Sequence, residues 1–225
     1  MKTNCLLPNP RRRAFTLVEL LVVMAVIATL AALLFPAAAA IKRMGVIKKA
    51  RAQLGKVVMA VEAYKAQHGH YPPDNPDNPA VNQLFYELAG TTNISTDLYL
   101  AEGGQAISNL PSFFGNRVTG FVNVSRGSGD EAQRAKNYLI GLRPDQYLEV
   151  ANLTGVGAVL GVTDKGPFML NEPSGGTGRS INPWRYVATS ATNNPGHFDL
   201  WVDIIIGGKT NRISNWSETP QSVAY

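Results

Sequence analysis

Residues 11–41 read RRRAFTLVELLVVMAVIATLAALLFPAAAAI, and the residue in that run that most needs explaining is Glu19. Arg11, Arg12 and Arg13 stand in front of an apolar stretch, and from Leu20 to Ile41 there are 22 residues without a charge. About 20 apolar residues cross the hydrocarbon core of a bilayer as a helix. A carboxylate at that depth is costly and is rarely kept without a partner. A cleaved secretory signal would use the small residues Ala37 to Ala40 as its cut site. Its apolar region would then run well past the usual length of about 7–15 residues and contain an acid. A plain anchor leaves Glu19 unpartnered. Its orientation is also ambiguous, because basic residues crowd both ends of the run.

Composition narrows the classes. The 225 residues suffice for one ordinary domain plus a membrane element, and 45% hydrophobic content supports a real core. The net charge of +5 is unevenly placed: Lys2 and Arg11–Arg13 precede the apolar run, and Lys42, Arg43, Lys48, Lys49, Arg51 and Lys56 follow it. From residue 57 onward there are 11 basic and 15 acidic side chains, so the remainder is acidic and nucleic acid is not an expected partner. Cys5 is the single cysteine, which excludes an intrachain disulfide.

Arg11-Arg12-Arg13-Ala14-Phe15-Thr16-Leu17-Val18-Glu19-Leu20-Leu21 resembles the cleavage and methylation signature of type IV pilins and type II secretion pseudopilins. The family pattern is a basic leader, a small residue at the cut, nearly always Gly, and then Phe-Thr-Leu-x-Glu. Ala14 stands here in place of that Gly. The resemblance implies that a prepilin peptidase cuts between Ala14 and Phe15 and methylates the new Phe15 amine. It also implies that Glu19 pairs with the Phe15 amine of a neighbouring subunit. A paired charge tolerates a membrane interior far better than a lone one. Pro36 removes a backbone hydrogen bond within the run and is expected to kink the helix, at a position where the family commonly carries proline.

Helical signals continue beyond Ile41. Met44, Ile47, Leu54, Val57, Val58, Val61 and Tyr64 form an apolar stripe with charged residues on the other faces. Gly69 and Tyr71-Pro72-Pro73 stop it. A helix from Thr16 to His68 would be roughly 80 Å long. The run Lys65 to Pro72 resembles the helix-closing segment of major pseudopilins. Residues 74–79, DNPDNP, read as a turn-rich link, and Ala80–Leu88 as a short helix ending at Gly90. In the segment 91–180, residues 120–125 are strand-like, 130–141 read as a helix, and 172–180 as a flexible loop. Trp184–Thr189 and Phe198–Ile206 read as an antiparallel hairpin, with Asp199, Trp201 and Asp203 facing opposite to Phe198, Leu200 and Val202.

The closing segment strengthens the resemblance to the major pseudopilin: Asn182-Pro183-Trp184-Arg185-Tyr186, Phe198-Asp199-Leu200-Trp201, Gly207-Gly208 and Ile213-Ser214-Asn215-Trp216 follow the family's order. The family holds calcium in the Gly-rich loop, and calcium takes about six to eight oxygen ligands. Here Ile206–Ile213 contains no acid and two bases, leaving Asp199 and Asp203 as the nearby carboxylates. The loop is therefore expected to be held by backbone hydrogen bonds and Trp216 packing, without metal. His68 and His70 form an H-x-H pair whose expected state is a solvated helix end, since His197 is distant in sequence. No nucleophile, P-loop or zinc motif occurs, and no catalytic residue is expected.

The sequence thus predicts an α+β, pilin-like protein whose long N-terminal helix packs on a small antiparallel sheet head. Its expected parts are a leader (1–14), a transmembrane or filament-core helix (15–41), the amphipathic half of the same helix (42–69) and an extracytoplasmic head (70–225). Residues 91–180 are longer than the compact pseudopilin pattern. The resemblance implies a structural pseudopilin in a type II secretion filament that supports protein export. Its implied partners are the prepilin peptidase, other pseudopilins, an inner-membrane assembly platform and the bilayer. It implies a single-pass inner-membrane precursor, with the N-terminus cytoplasmic and the head periplasmic. A minor type IV pilin, or a membrane-tethered binding protein or enzyme with a borrowed leader, are the alternatives.

Overall fold

The computed structural model describes residues 15–127, 133–152 and 155–224; within the first helix, the side chains of 35–37 and 39 lie outside the description. The chain divides into two compact units, one ending at Met44 and one beginning at Gly45. Helix α1, Leu17–His68, contributes to both. It ends where expected. Gly69 takes a positive φ of 80°, and its N–H donates to Lys65 O at 2.8 Å.

In the first unit the helix is apolar and uncovered. Its segment Leu17–Leu34 has the length and composition to cross a membrane, and none of it is buried. In the second unit α1 buries Ala50, Gln53, Leu54, Val57, Ala60, Val61 and Tyr64. Their three- and four-residue steps form one face. Met44, expected on that stripe, is exposed. The stripe reaches the core only from the half-buried Val46 and Ile47 onward.

The head follows as α2 (Leu84–Ala89), β1 (Thr91–Ser95), β2 (Leu98–Ala101), β3 (Ala106–Ser108), α3 (Leu110–Phe114), β4 (Val124–Ser125), β5 (Tyr147–Asn152), β6 (Gly155–Val162), β7 (Leu170–Asn171), β8 (Ser180–Pro183), β9 (Arg185–Val187), β10 (Asp199–Ile206), β11 (Lys209–Ser214) and β12 (Ser217–Val223). They form three four-stranded sheets, ordered β3-β2-β1-β4, β5-β6-β8-β7 and β12-β11-β10-β9. All pairings are antiparallel except β1 with β4. The long helix followed by antiparallel sheets is the expected α+β arrangement, consistent with a pilin-like fold. The head holds three sheets where one small one was expected, and residues 91–180 supply most of the additional strands.

Strand β6 explains the glycine-punctuated run at 155–161. A Cβ on Gly157 would lie 2.8 Å from the Phe113 ring, and one on Gly161 would lie 2.5 Å from Asn182 O. The sheet approaches α3 and β8 too closely for a side chain. Around it gathers an aromatic cluster. Tyr86 stacks on Phe121 at 5.0 Å and meets Phe85 edge-on at 5.1 Å, and its hydroxyl accepts Ala158 N–H at 2.9 Å.

Several local expectations are overturned. The helix expected over 130–141 is absent from its described part, which is an extended strap. Its backbone groups have tertiary partners instead. Lys136 N–H donates to Asn123 Oδ1 at 2.9 Å, and Tyr138 N–H donates to Leu88 O at 2.7 Å. The helix expected from Ala80 begins only at Leu84. The 74–79 link is a structural staple. Buried Asn75 donates to Val81 O and Phe114 O, both at 2.7 Å, and Asp74 accepts the N–H groups of Ala188 and Thr189 at 2.7 and 2.8 Å. The loop at 172–180 is organised around Glu172, whose Oε2 accepts Thr177 N–H at 2.7 Å and Arg179 N–H at 3.2 Å. The loop expected at 206–213 is a tight hairpin. Gly207 and Gly208 have φ of 59° and 77°, a two-residue turn that places Ile206 opposite Lys209.

Candidate functional site

The N-terminal element is built on Thr16 and Glu19. Thr16 precedes the first helical residue. Its N–H and its hydroxyl both donate to Glu19 Oε2, at 2.8 and 2.9 Å, while Glu19 N–H donates to Thr16 Oγ1 at 3.2 Å. This reciprocal arrangement is a capping box, and it satisfies helix N–H groups that otherwise have no partner. The T-x-x-E spacing that encodes it stands in the sequence, but the sequence reading assigned Glu19 to a neighbouring subunit alone. Glu19 therefore has local partners before any assembly. Its second oxygen, Oε1, carries no bond among the described residues. The box fixes where the helix begins and points the carboxylate toward the end that carries Phe15.

Phe15 is 80% exposed, and Leu17, Val18, Leu20 and Leu21 are all more than half exposed. An uncovered apolar helix of this length needs a lipid or protein surround. Ala14 and the basic residues before it lie outside the described residues. The helix runs on through Pro36 without a break, and the surroundings of that side chain lie outside the description.

The two calcium candidates sit on β10, and both are buried. Asp199 Oδ2 accepts the N–H groups of Thr192 and Asn193 at 3.0 and 2.9 Å, and Oδ1 accepts Asn194 N–H at 2.9 Å. It organises the turn that leads into the strand. Asp203 lies between two guanidinium groups. Arg212 donates through Nε and Nη2 at 2.8 and 3.0 Å, and Arg185 through Nη1 at 3.3 Å. Arg212 is the residue directly opposite Asp203 in the β10–β11 register. One of the two bases of the 206–213 segment is thus a partner of Asp203. Trp216 meets Trp201 edge-on at 5.7 Å. Among the described residues, no three or more His, Cys, Asp or Glu side chains converge as a metal group would require.

The histidines are drawn into aromatic contacts. Tyr138 Oη lies 3.1 Å from His68 Nε2, and Tyr64 lies against the His68 ring at 4.2 Å. Partial burial, then the charges of His70 and Lys136, lower the His68 pKa. Tyr71 joins His197 across the sequence at 3.0 Å.

Sequence reasoning missed Glu87, a fully buried carboxylate on α2. Its Oε1 accepts Val122 N–H at 2.8 Å, and its Oε2 accepts Asn123 N–H and the Tyr64 hydroxyl, both at 3.0 Å. Burial raises its pKa, partly offset by those donors. Burial, and the neighbouring Glu87 charge, also raise the Tyr64 pKa.

Residues 9–35 match the family described as the prokaryotic N-terminal methylation motif. No curated protein and no solved structure matches the chain. The matched residues contain the Ala14–Phe15 junction, the Thr16–Glu19 capping box and the uncovered apolar segment Leu17–Leu34. The chain therefore carries a prepilin-type motif. Such a motif implies processing by a prepilin peptidase and pilus-like assembly. With the apolar helix, it points to a membrane-anchored, type IV pilin-like precursor.

Proposed function

We propose that this chain is a structural pseudopilin, a subunit of a type II secretion-type filament that supports protein export and has no catalytic role. The observation that carries the reading is the prepilin-type motif continuous with an apolar helix that none of the described residues covers. In the precursor that helix spans the inner membrane once, with its N-terminus cytoplasmic and the head periplasmic. Cleavage between Ala14 and Phe15 creates an amine beside Glu19. Oε1 is then available to the amine of a neighbouring subunit while Oε2 keeps the capping box. In the filament, the exposed side chains of Leu17–Leu34 exchange lipid for the same helix of other subunits, a change between two apolar surrounds.

The pseudopilin choice over a pilin is supported by the closing segment. Trp184 and Leu200 stand in the buried core, and Trp216 packs against Trp201. Mass spectrometry of the mature N-terminus tests the processing. A chain beginning at N-methyl-Phe15 is expected. A start near Ala40 would indicate a secreted protein, and an intact Met1 a simple anchor, and either result overturns the reading. Deleting the gene separates the machines: loss of exoprotein export is expected, whereas loss of surface motility or adhesion with export intact would indicate a pilin.

A further inference from the structure

One cavity in the head gathers three exposed cations that have no carboxylate partner among the described residues. Its volume is about 440 Å³, and Arg126, Arg134 and Lys136 line it together with Gln67, Gln133 and Tyr138. From residue 57 onward the chain is acidic on balance, so a concavity whose described charged lining is all basic is not what average composition would produce. Arg117, Arg143, Arg179, Arg185 and Arg212 each have a carboxylate partner. The two other arginines of this part, Arg126 and Arg134, have none among the described residues, and both face the same cavity. Lys136 is a third such cation, its ammonium 5.2 Å from the centre of the Tyr138 ring.

The backbone that carries these groups is pinned. Arg126 and Gln133 exchange N–H···O bonds of 2.8 and 2.9 Å. Ala135 N–H donates to Ser125 Oγ at 2.9 Å, and Asn123 Nδ2 donates to Lys136 O at 2.7 Å. The cations therefore stand on a fixed frame, and neither guanidinium has a side-chain partner among the described residues. Like charges gathered in a concavity repel unless an anion lies among them, and they raise the local concentration of anions. Guanidinium groups match phosphate with two parallel bonds each, and amide and hydroxyl donors complete such a shell.

We propose that this cavity binds a small ligand carrying two or more closely spaced phosphoryl-type oxyanions. The proposal is independent of the filament reading. Titration calorimetry on the full chain in zwitterionic detergent, at low ionic strength, tests it with inorganic phosphate, pyrophosphate and tripolyphosphate. Affinity is expected to rise in that order and to weaken as salt is added. Arg126→Gln with Arg134→Gln is expected to weaken tripolyphosphate binding at least about tenfold, the scale of lost charge-assisted hydrogen bonds. Lys209→Gln, an exposed charge outside the cavity, is expected to leave it unchanged. Among the described residues neither arginine side chain has a hydrogen-bond or ion-pair partner, so the double variant should melt with the parent, which circular dichroism checks. Absence of tripolyphosphate binding at millimolar concentration overturns the proposal. So does equal affinity for the mono- and triphosphate, or an equal loss in Lys209→Gln.

Discussion

Replacing Glu87 should destabilise the head in a way that depends on pH. Glu87→Ala strands the Asn123 N–H and the Tyr64 hydroxyl, both bonded to this carboxylate in a dry site. At about 1–3 kcal/mol for each stranded donor, the loss is about 2–6 kcal/mol, a large part of a domain's stability. For a head of this size that lowers the melting temperature by about 2–4 °C per kcal/mol. Glu87→Gln keeps an oxygen where two donors converge and sets its NH₂ against Val122 N–H, at a cost of about 1 kcal/mol. The pH dependence separates the two causes. The folded pKa of Glu87 is raised above its ordinary 4.5. The stability linked to its proton is therefore fully present below that value and is lost as pH rises through the folded pKa. The parent should lose stability relative to Glu87→Gln between pH 4.5 and neutrality. Thermal melts of the full chain in detergent, followed by near-ultraviolet circular dichroism across that range, measure the gap. A gap that stays flat or widens in favour of the parent would refute the raised pKa. A Glu87→Ala loss below about 1 kcal/mol would refute the stranded-donor argument.

Other consequences follow from the same geometry. Asp203→Ala leaves Arg185 and Arg212 facing each other without their shared carboxylate, and should cost about 3 kcal/mol in the same melts, the lower range for breaking a buried pair. Gly161→Ala forces a methyl against Asn182 O and should cost about 1–3 kcal/mol. Gly55→Ala, on a helix face with nothing within 4 Å, should instead stabilise by about 0.5–1 kcal/mol. Glu19→Ala is expected to be cleaved and methylated at Phe15 but not to assemble, as seen by electron microscopy of sheared filaments. Normal filaments from that variant would remove the pairing role of Glu19.

Much was legible because it rests on neighbours in sequence. The stop at Gly69 needs only a glycine free to take positive φ and prolines after it. The β9–β10 hairpin announces itself by alternation around Asn193-Asn194-Pro195-Gly196. The capping box is also local and is encoded by T-x-x-E ahead of an apolar run, yet the sequence reading passed over it because Glu19 was given to a neighbouring subunit. Glu87 was not legible. In the short helix LFYELA it reads as a solvent-facing acid, and only donors at 64, 122 and 123 make its burial tolerable. The strap at 133–139 has helix-favouring residues, but its N–H groups go to Asn123, Ser125 and Leu88. Alternation along β10 put Asp203 on the face opposite the core; in the fold both faces are covered, because Arg212 and Arg185 close over it.

By itself the sequence determined the N-terminal element. The basic residues Arg11–Arg13, the Ala14–Phe15 junction, Thr16, Glu19 and the apolar run can be read through helix periodicity and through the length a bilayer requires, both of which are properties of adjacent residues. Tertiary structure alone decided the head's polar interior. Whether Glu87, Asp199 or Asp203 is a surface charge, a metal ligand or a staple depends on donors brought from far along the chain. A buried carboxylate is stable only where those donors meet it, and no local pattern records that meeting. For the same reason, Arg126 and Arg134 stand out only beside the other arginines beyond residue 57, each of which has a carboxylate partner.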